Sequence, residues 1–261
     1  MSLSNRCWKN TALAAAIALL WATFGSFAAA AEMQPNGIRV TCLGHATFLI
    51  QSSGGTRIMI DPWLRKNPAT PAELKDPTRY RLDAVLVTHS HFDHAADAVE
   101  IAKSANAPLI SAAEWVDEQQ LPDNLKMGGN VGGTFKIKDI TVHIVPAMHS
   151  SAPSGRPIGF VLSFADGRSL YHTGDTWIFG DMALIQEIYH PNIILIGAGG
   201  GPYGEDPATA RLAIDKYFKP QVIVPMHFGT FPVLAQQPEV DAAFANDKRV
   251  VKMKAGDVRD F

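Results

Sequence analysis

Apolar and polar positions change their spacing near the middle of the chain, from strand hairpins to alternating strands and helices. Segment 38–61 predicts two or three strands with Gly54-Gly55 at a hairpin turn. Segments 83–90 and 108–112 predict short strands, and between them the apolar residues of 95–106 recur with helical spacing. The polar, proline-rich segment 65–80 predicts a surface loop.

The second half of the chain extends this pattern. Segment 133–147 predicts two strands, and 158–175 predicts a hairpin with Asp166-Gly167 at its turn. Helices are predicted at 182–190 and 207–218, and strands at 192–198 and 221–227. Hairpins followed by alternating strands and helices predict an α/β fold in which helices cover sheets within a single domain.

The first 31 residues differ from the rest and resemble an export signal. Arg6 and Lys9 precede an uncharged, Ala-rich run that ends in small residues suited to Ala-x-Ala cleavage. We therefore predict a signal peptide at 1–31, a mature domain at 32–261 and a periplasmic location. An uncleaved membrane anchor is the alternative, because 18 or more uncharged residues can span a bilayer. No later run is long and apolar enough to do so.

Composition fits one globular domain of substantial size and argues against disorder, since 47% of the 261 residues are hydrophobic. Without residues 1–31, 23 − 2 = 21 Lys and Arg face 25 Asp and Glu, so the net charge is −4. This near balance gives no sign of a nucleic-acid partner and leaves the oligomeric state open. Cys42 alone remains, which excludes an intramolecular disulfide; a large core and a bound metal are the expected sources of stability.

Histidines and aspartates recur where predicted strands end. The stretch THSHFDHAAD, residues 88–97, follows one strand, and three further strand ends carry one candidate each. The candidates are His89, His91, Asp93, His94, His149, Asp175 and His227. Strand ends can converge on one crevice of an α/β sheet, so these side chains are expected to lie together. The competing interpretation, a polar surface loop, does not explain the three distant partners.

The spacing within this stretch predicts two metal ions rather than one. His89 and His91 point the same way in an extended loop and can bind one ion. Asp93 and His94 come where the chain turns into a helix and can face a second ion. Seven candidates exceed the four ligands of a closed site and suit two ions about 3.5–4 Å apart. Imidazole and carboxylate suit Zn²⁺, with Mn²⁺ and Fe²⁺ as alternatives. Asp97 is predicted to be a surface residue.

In these residues the chain resembles the metallo-β-lactamase superfamily. The shared pattern comprises THSHFDH, PAMHS, HTGDT and PMHFGT, in that order between Ile38 and Phe231. TCLGHATFLI and IMIDPWL are similar to one branch of predicted metal-dependent hydrolases. That branch includes ascorbate-6-phosphate lactonase and N-acylphosphatidylethanolamine-hydrolysing phospholipase D.

The resemblance implies an αββα sandwich with two metal ions at one edge. His89, His91 and His149 would bind the first ion, Asp93, His94 and His227 the second, and Asp175 would bridge them. A hydroxide between the ions would attack the substrate, and Asp93 would additionally orient it or pass on its proton.

Three more residues are candidates for contact with the substrate or with the ligands. His45 either contacts substrate near the metals or is a hydrogen-bonded turn histidine. Asp61 is interpreted as orienting the metal loop through hydrogen bonds, with an ordinary Asp-Pro turn as the alternative. GGGPYG at 199–204 resembles a dinucleotide motif, but Asp206 and Pro207 predict a helix that starts after its last glycine. Tyr203 is instead predicted at the pocket rim.

The sequence thus predicts a hydrolase of a small-molecule or lipid-like ester, most simply a phosphodiester or a lactone. A β-lactamase is one alternative, although those enzymes of the superfamily replace the bridging aspartate with cysteine or lack it. A mononuclear iron dioxygenase is the other, because the same ligands accept iron.

Overall fold

The structure, a computed structural model, describes residues 35–261, so the predicted signal peptide lies outside the described residues and stays a prediction. The strands and helices that the sequence predicts occur in the predicted order, and further elements lie between and after them. The strands are β1 Arg39–Gly44, β2 Thr47–Gln51, β3 Arg57–Ile60, β4 Ala84–Leu86, β5 Leu109–Ala112, β6 Lys126–Gly129, β7 Thr134–Ile137, β8 Ile140–Pro146, β9 Ile158–Ser163, β10 Ser169–His172, β11 Ile193–Gly197, β12 Val222–Met226 and β13 Val258–Asp260.

Six α-helices occur among the described residues. They are α1 Phe92–Ala95, α2 Ala98–Ala105, α3 Ala113–Asp117, α4 Met182–Tyr189, α5 Pro207–Tyr217 and α6 Gln237–Ala243. The start of α5 follows the prediction, because the Asp206 side chain accepts hydrogen bonds from the backbone N–H groups of Ala208 and Thr209. No helix between residues 35 and 261 combines the length and apolarity needed to cross a membrane.

The strands form two sheets of seven and six strands, in the orders β13-β1-β2-β3-β4-β5-β6 and β12-β11-β10-β9-β8-β7. The sheets pack face to face, and apolar side chains of both fill the space between them. Helices α2 and α3 cover the outer face of the first sheet, and α4, α5 and α6 cover the outer face of the second. This αββα arrangement confirms the predicted fold.

Alternation along the central strands explains why they are apolar throughout. In β11, Ile193 and Leu195 point into the space between the sheets, whereas Ile194 and Ile196 face the helices. Both faces are buried, so the strand is a continuous apolar run.

The prediction of one helix at 95–106 is wrong about where the helix starts. The chain already turns helical at Phe92 and breaks between α1 and α2, where Asp97 lies. Asp97 is not the surface residue predicted: it is 7% exposed. Its carboxylate accepts hydrogen bonds from the backbone N–H groups of Leu64 at 2.6 Å and Arg65 at 3.0 Å. Asp97 therefore fixes the loop after β3 against the start of α2.

Candidate metal centre

The direction of the strands places the predicted ligands at one edge of the sheets. In the first sheet β1, β3 and β4 run the same way, because β1 and β3 are both antiparallel to β2 and β4 is parallel to β3. In the second sheet β8, β10 and β12 also share one direction. The residues after these six strands include every predicted ligand together with His45 and Asp61.

His89, His91 and His149 form the first group. One nitrogen from each ring lies within 4.8 Å of the others. His89 Nε2 is 2.9 Å from His91 Nδ1. Donors at 2.0–2.1 Å from a tetrahedral Zn²⁺ would be about 3.3 Å apart, so the spacing of this group suits a metal ion.

Asp93, His94 and His227 form the second group, together with His45. His227 Nε2 is 3.6 Å from Asp93 Oδ2, and His45 Nε2 is 3.1 Å from the same oxygen. Burial and the nearby His227 lower the pKa of His45 to about 4, so its imidazole is neutral at pH 7. The nitrogen of a neutral imidazole that faces a carboxylate carries the proton. His45 therefore donates to Asp93 and positions it.

Asp175 lies between the two groups. Its Oδ2 atom is 4.0 Å from His89 Nε2, 3.7 Å from His149 Nε2 and 3.1 Å from His227 Nε2. Its Oδ1 atom is 3.4 Å from His94 Nε2. One carboxylate thus faces imidazole nitrogens of both groups, as a bridging ligand would.

Two buried ring nitrogens of the second group lack a hydrogen-bond partner among the described residues. The Nε2 atoms of His94 and His227 are buried and make no hydrogen bond of acceptable geometry, although both lie close to Asp175. Buried polar atoms are nearly always satisfied. Orphaned imidazole nitrogens beside carboxylates are the donor set of a metal site, so these residues fit a metal ion.

Asp61 fixes the orientation of the His94 ring through the nitrogen that does not face Asp175. Its carboxylate is fully buried and accepts three hydrogen bonds of 2.7 Å, from Thr88 N–H, Thr88 Oγ1–H and His94 Nδ1–H. Because Asp61 holds the proton on Nδ1, a metal ion that displaces the proton from Nε2 finds a free lone pair there, which is the tautomer that a metal requires.

The histidines and carboxylates of the centre shift one another's pKa values. Burial opposes ionisation of Asp175, but the positive charges of His227 and His94 outweigh it and hold the pKa of that carboxyl well below its usual range. Burial likewise opposes protonation of His227, yet Asp175 outweighs it and raises the pKa of His227 to about 9. Burial and the nearby His94 lower the pKa of His89 well below its ordinary value. The second group therefore attracts a cation, whether a proton or a metal ion.

The backbone is strained at three residues of the centre. His45, Asp61 and His227 have φ values of 59°, 50° and 61°, in the left-handed region that residues other than glycine rarely adopt. Such strain is concentrated at functional sites. His227 N–H donates to His45 C=O at 3.2 Å, which ties two of these residues together.

A glycine permits His227 to lie where it does. A Cβ atom on Gly199 would be 2.4 Å from the His227 carbonyl oxygen and 2.8 Å from Nδ1. Gly199 thus lets the backbone pass close to a predicted ligand. Tyr203, in the same loop, lines the cavity above the centre and is 63% exposed.

An open cavity of about 950 Å³ lies over the centre. Its floor includes His91, Asp93, His149, Asp175 and His227. Its walls are largely apolar and are formed by Phe92, Met148, Trp177, Pro202, Tyr203, Phe231, Pro232, Val233 and Leu234. Of these walls the sequence predicted only Tyr203.

Two further residues near the centre were not identified from the sequence. Glu205 is 3% exposed and neither carboxylate oxygen makes a hydrogen bond of normal geometry. Burial and the neighbouring Asp206 raise the pKa of Glu205 to about 8. Thr230 Oγ1 is 2.9 Å from His45 Nδ1 and fixes that ring from the other side.

Known proteins share both the sequence and the fold. Residues 39–227 match the model of a family described as the β-lactamase superfamily domain. A relative from Koribacter versatilis, named UPF0173 metal-dependent hydrolase, is 39% identical over 236 residues, 86% of this chain and 99% of its own. A relative of the same name from Archaeoglobus fulgidus is 40% identical over 237 residues, with the same shares.

Among solved structures, the metallo hydrolase Igni18 from Ignicoccus hospitalis is similar with a TM-score of 0.72 and 34% identity. The match covers 86% of this chain and 99% of that one. It therefore extends over the whole described sandwich and not over one sheet alone.

Proposed function

The chain belongs to the metallo-β-lactamase superfamily, and from this premise we propose that it is a hydrolase with a dinuclear metal centre that cleaves an ester-type bond. It is a metal-dependent hydrolase, as are relatives that align with 86% of its length. The proposal adds the number of ions, the residues that bind them and the class of bond.

The position of Asp175 carries the proposal. Its carboxylate is within 4.0 Å of an imidazole nitrogen from each of four histidines, which belong to two separate ligand groups. We assign His89, His91 and His149 to one ion, Asp93, His94 and His227 to the other, and Asp175 to both. The nitrogen-rich donor set favours Zn²⁺, and Mn²⁺ or Fe²⁺ are compatible with it.

Metal ions bound here would supply Lewis acidity, which polarises a substrate oxygen and lowers the pKa of water toward about 7. The protein supplies orientation. Asp61 keeps Nε2 of His94 free to bind, and His45 holds Asp93 by a hydrogen bond of 3.1 Å.

Asp93 is ionised in this setting. Burial opposes its ionisation, but the nearby His227 and the hydrogen bond from His45 outweigh burial and hold its pKa far below the usual range. A carboxylate of such low basicity orients water by accepting a hydrogen bond, and it is a poor acceptor of a whole proton.

The test combines metal analysis with a substrate panel. The full chain is loaded with Zn²⁺, Mn²⁺ or Fe²⁺ and assayed with p-nitrophenyl acetate, γ-butyrolactone, bis(p-nitrophenyl) phosphate, a thioester and nitrocefin, with oxygen uptake recorded for the iron form. We expect two ions per chain, hydrolysis of an ester, and loss of both binding and activity in Asp175→Ala. His190→Asn, an exposed histidine replaced at the end of α4, is the control. One ion per chain, or equal activity without metal, would refute the dinuclear proposal.

A further inference from the structure

Exposed apolar side chains are concentrated around the candidate metal centre. Ten large apolar residues are exposed among the described residues, and five of them line the cavity over the centre. These five are Phe92, Met148, Trp177, Tyr203 and Val233, each 49–63% exposed. Contiguous apolar surface of this kind marks a binding site rather than random exposure.

Five separate segments contribute this apolar wall, and three of them also supply a predicted ligand. Phe92 follows His91, Met148 precedes His149, and Trp177 comes two residues after Asp175. The walls are therefore placed by the same strand ends that place the metal ligands. An apolar group bound against them would have its other end at the centre.

Backbone and ring contacts hold these walls in place. Trp177 N–H donates to Met148 C=O at 2.9 Å, and Met148 N–H donates to Thr176 Oγ1 at 2.9 Å. Phe92 packs edge-on against Trp63 with centroids 5.5 Å apart, and Trp63 stacks on Phe231 at 5.7 Å. Walls that are already ordered bind apolar groups with little loss of conformational entropy.

Outside the centre, the cavity offers no protein cation to a substrate phosphate. Apart from the Tyr203 hydroxyl, its charged and titratable lining groups are histidines and carboxylates of the centre, and no Lys or Arg is among the lining residues. Proteins that hold phosphate use Arg, Lys or a cluster of backbone N–H donors. A phosphate group placed beyond the metal ions would find no protein cation here.

We infer that the site takes an uncharged carboxylic ester or lactone whose scissile group is joined to an extended apolar chain or ring. This rests on the proposed hydrolase function and narrows it away from phosphodiesters. In the reaction, the oxygen of one water molecule bonds to the carbonyl carbon and the bond to the alkoxy oxygen breaks. The alkoxy oxygen takes a proton from the water, so the products are a carboxylic acid and an alcohol.

The experiment compares esters that differ only in chain length. p-Nitrophenyl acetate, butyrate, hexanoate and octanoate are hydrolysed by the metal-loaded full chain, with bis(p-nitrophenyl) phosphate as the anionic probe. Full burial of a methylene changes kcat/KM about fourfold, and partial burial in an open cavity about twofold. We therefore expect octanoate to exceed acetate by about 60-fold or more over its six extra methylenes, at the twofold figure, and to exceed the phosphodiester.

Trp177→Ala and Phe92→Ala test whether the wall causes this preference. Both side chains are more than half exposed, so the variants are expected to fold. Each should reduce the octanoate-to-acetate ratio of kcat/KM at least fivefold. The matched control, Ile188→Ala, removes a side chain that is 63% exposed on α4 and does not line the cavity.

A binding measurement separates this inference from the proposed function. Octanohydroxamate and acetohydroxamate chelate metal equally and differ only in the chain, so the wild-type chain should bind the former at least tenfold more tightly. Ester hydrolysis without any chain-length preference would overturn the inference and leave the proposed function standing. Hydroxamate preference without hydrolysis of any ester would refute the ester function and uphold the apolar site. A phosphodiester turned over faster than octanoate would also overturn the inference.

Discussion

Replacing Asp61 with asparagine tests how the protein selects the metal-binding tautomer of His94. The carboxylate accepts three hydrogen bonds of 2.7 Å, two through the oxygen that faces Thr88 Oγ1 and His94 Nδ1. An amide has one acceptor oxygen and one NH₂ donor. If the oxygen stays with Thr88 N–H, the NH₂ faces His94 Nδ1, which must then accept. The ring proton moves to Nε2, and Nε2 can no longer bind metal.

The alternative amide orientation does not rescue the site. It would place NH₂ against Thr88 N–H, and two buried donors facing each other cost about 1–3 kcal/mol. Loss of a hydrogen-bond partner behind a metal ligand typically lowers affinity about 10–100-fold. Because Asp61→Asn inverts the tautomer as well, we expect the upper end, about 100-fold or 2.7 kcal/mol, for the ion held by Asp93, His94 and His227.

Chelator competition at pH 7.5 measures both metal affinities, and urea unfolding measures stability. Asp97→Asn is the matched control, because Asp97 is also a buried carboxylate that accepts backbone N–H groups but touches no predicted ligand. We expect one weakened site in Asp61→Asn and two intact sites in Asp97→Asn. Equal metal affinities in wild type and Asp61→Asn, or equal losses in both variants, would refute the tautomer argument.

Three further predictions concern the same region. Asp175 raises the pKa of His227 to about 9, so a metal ion that binds the second group below that pH must displace a proton from His227. The apparent Zn²⁺ affinity, measured by chelator competition, should therefore rise about tenfold per pH unit for each displaced proton between pH 6.5 and 9. An affinity that does not change with pH would contradict this. Gly199→Ala places a Cβ atom 2.4 Å from the His227 carbonyl oxygen and should weaken metal binding and activity, whereas Gly204→Ala, with nothing within 4 Å, should behave as wild type in the same assays. The pKa of Glu205 is raised to about 8 by burial, so the folded chain keeps a proton that the unfolded chain loses above pH 4.5, and stability falls as pH rises from 4.5 to 8. Glu205→Gln should remove this fall in stability with pH, and its free energy of unfolding should exceed that of the wild type by about 3 kcal/mol at pH 7. Urea unfolding measures both proteins across this pH range, and the same pH dependence in both would contradict the prediction.

The sequence predicts the fold best for strands that are buried on both faces. Strands such as β11 and β12 are apolar runs because both faces are covered, and α5 begins at a capping aspartate followed by proline. The elements that the sequence did not predict lack such signals. Strand β13 is exposed at all three residues, and β6 contains two glycines. Their pairing comes from tertiary contacts and not from any local pattern.

The candidate ligands could be predicted because metal chemistry restricts residue type. His and Asp after strand ends are rare enough that four such places point to one centre. The residue types that contact the ligands or line the cavity are less restricted by metal chemistry. Asp97 occupies a short break between two helices, and its backbone partners are more than 30 positions away. The apolar wall is likewise formed by residues that only the convergence of five segments brings together.

Strained backbone and buried charge show that the fold itself sets the positions of the donors. His45, Asp61 and His227 adopt left-handed conformations that cost roughly 1–2 kcal/mol each. Hydrogen bonds at the strand ends hold them there: Asp61 N–H donates to Leu86 C=O at 2.9 Å, and His227 N–H donates to His45 C=O. These bonds do not involve a metal ion. Because the sandwich fixes the donors in advance, binding an ion requires the loss of protons but little ordering of the chain, and the affinity of the centre depends on pH more than on folding.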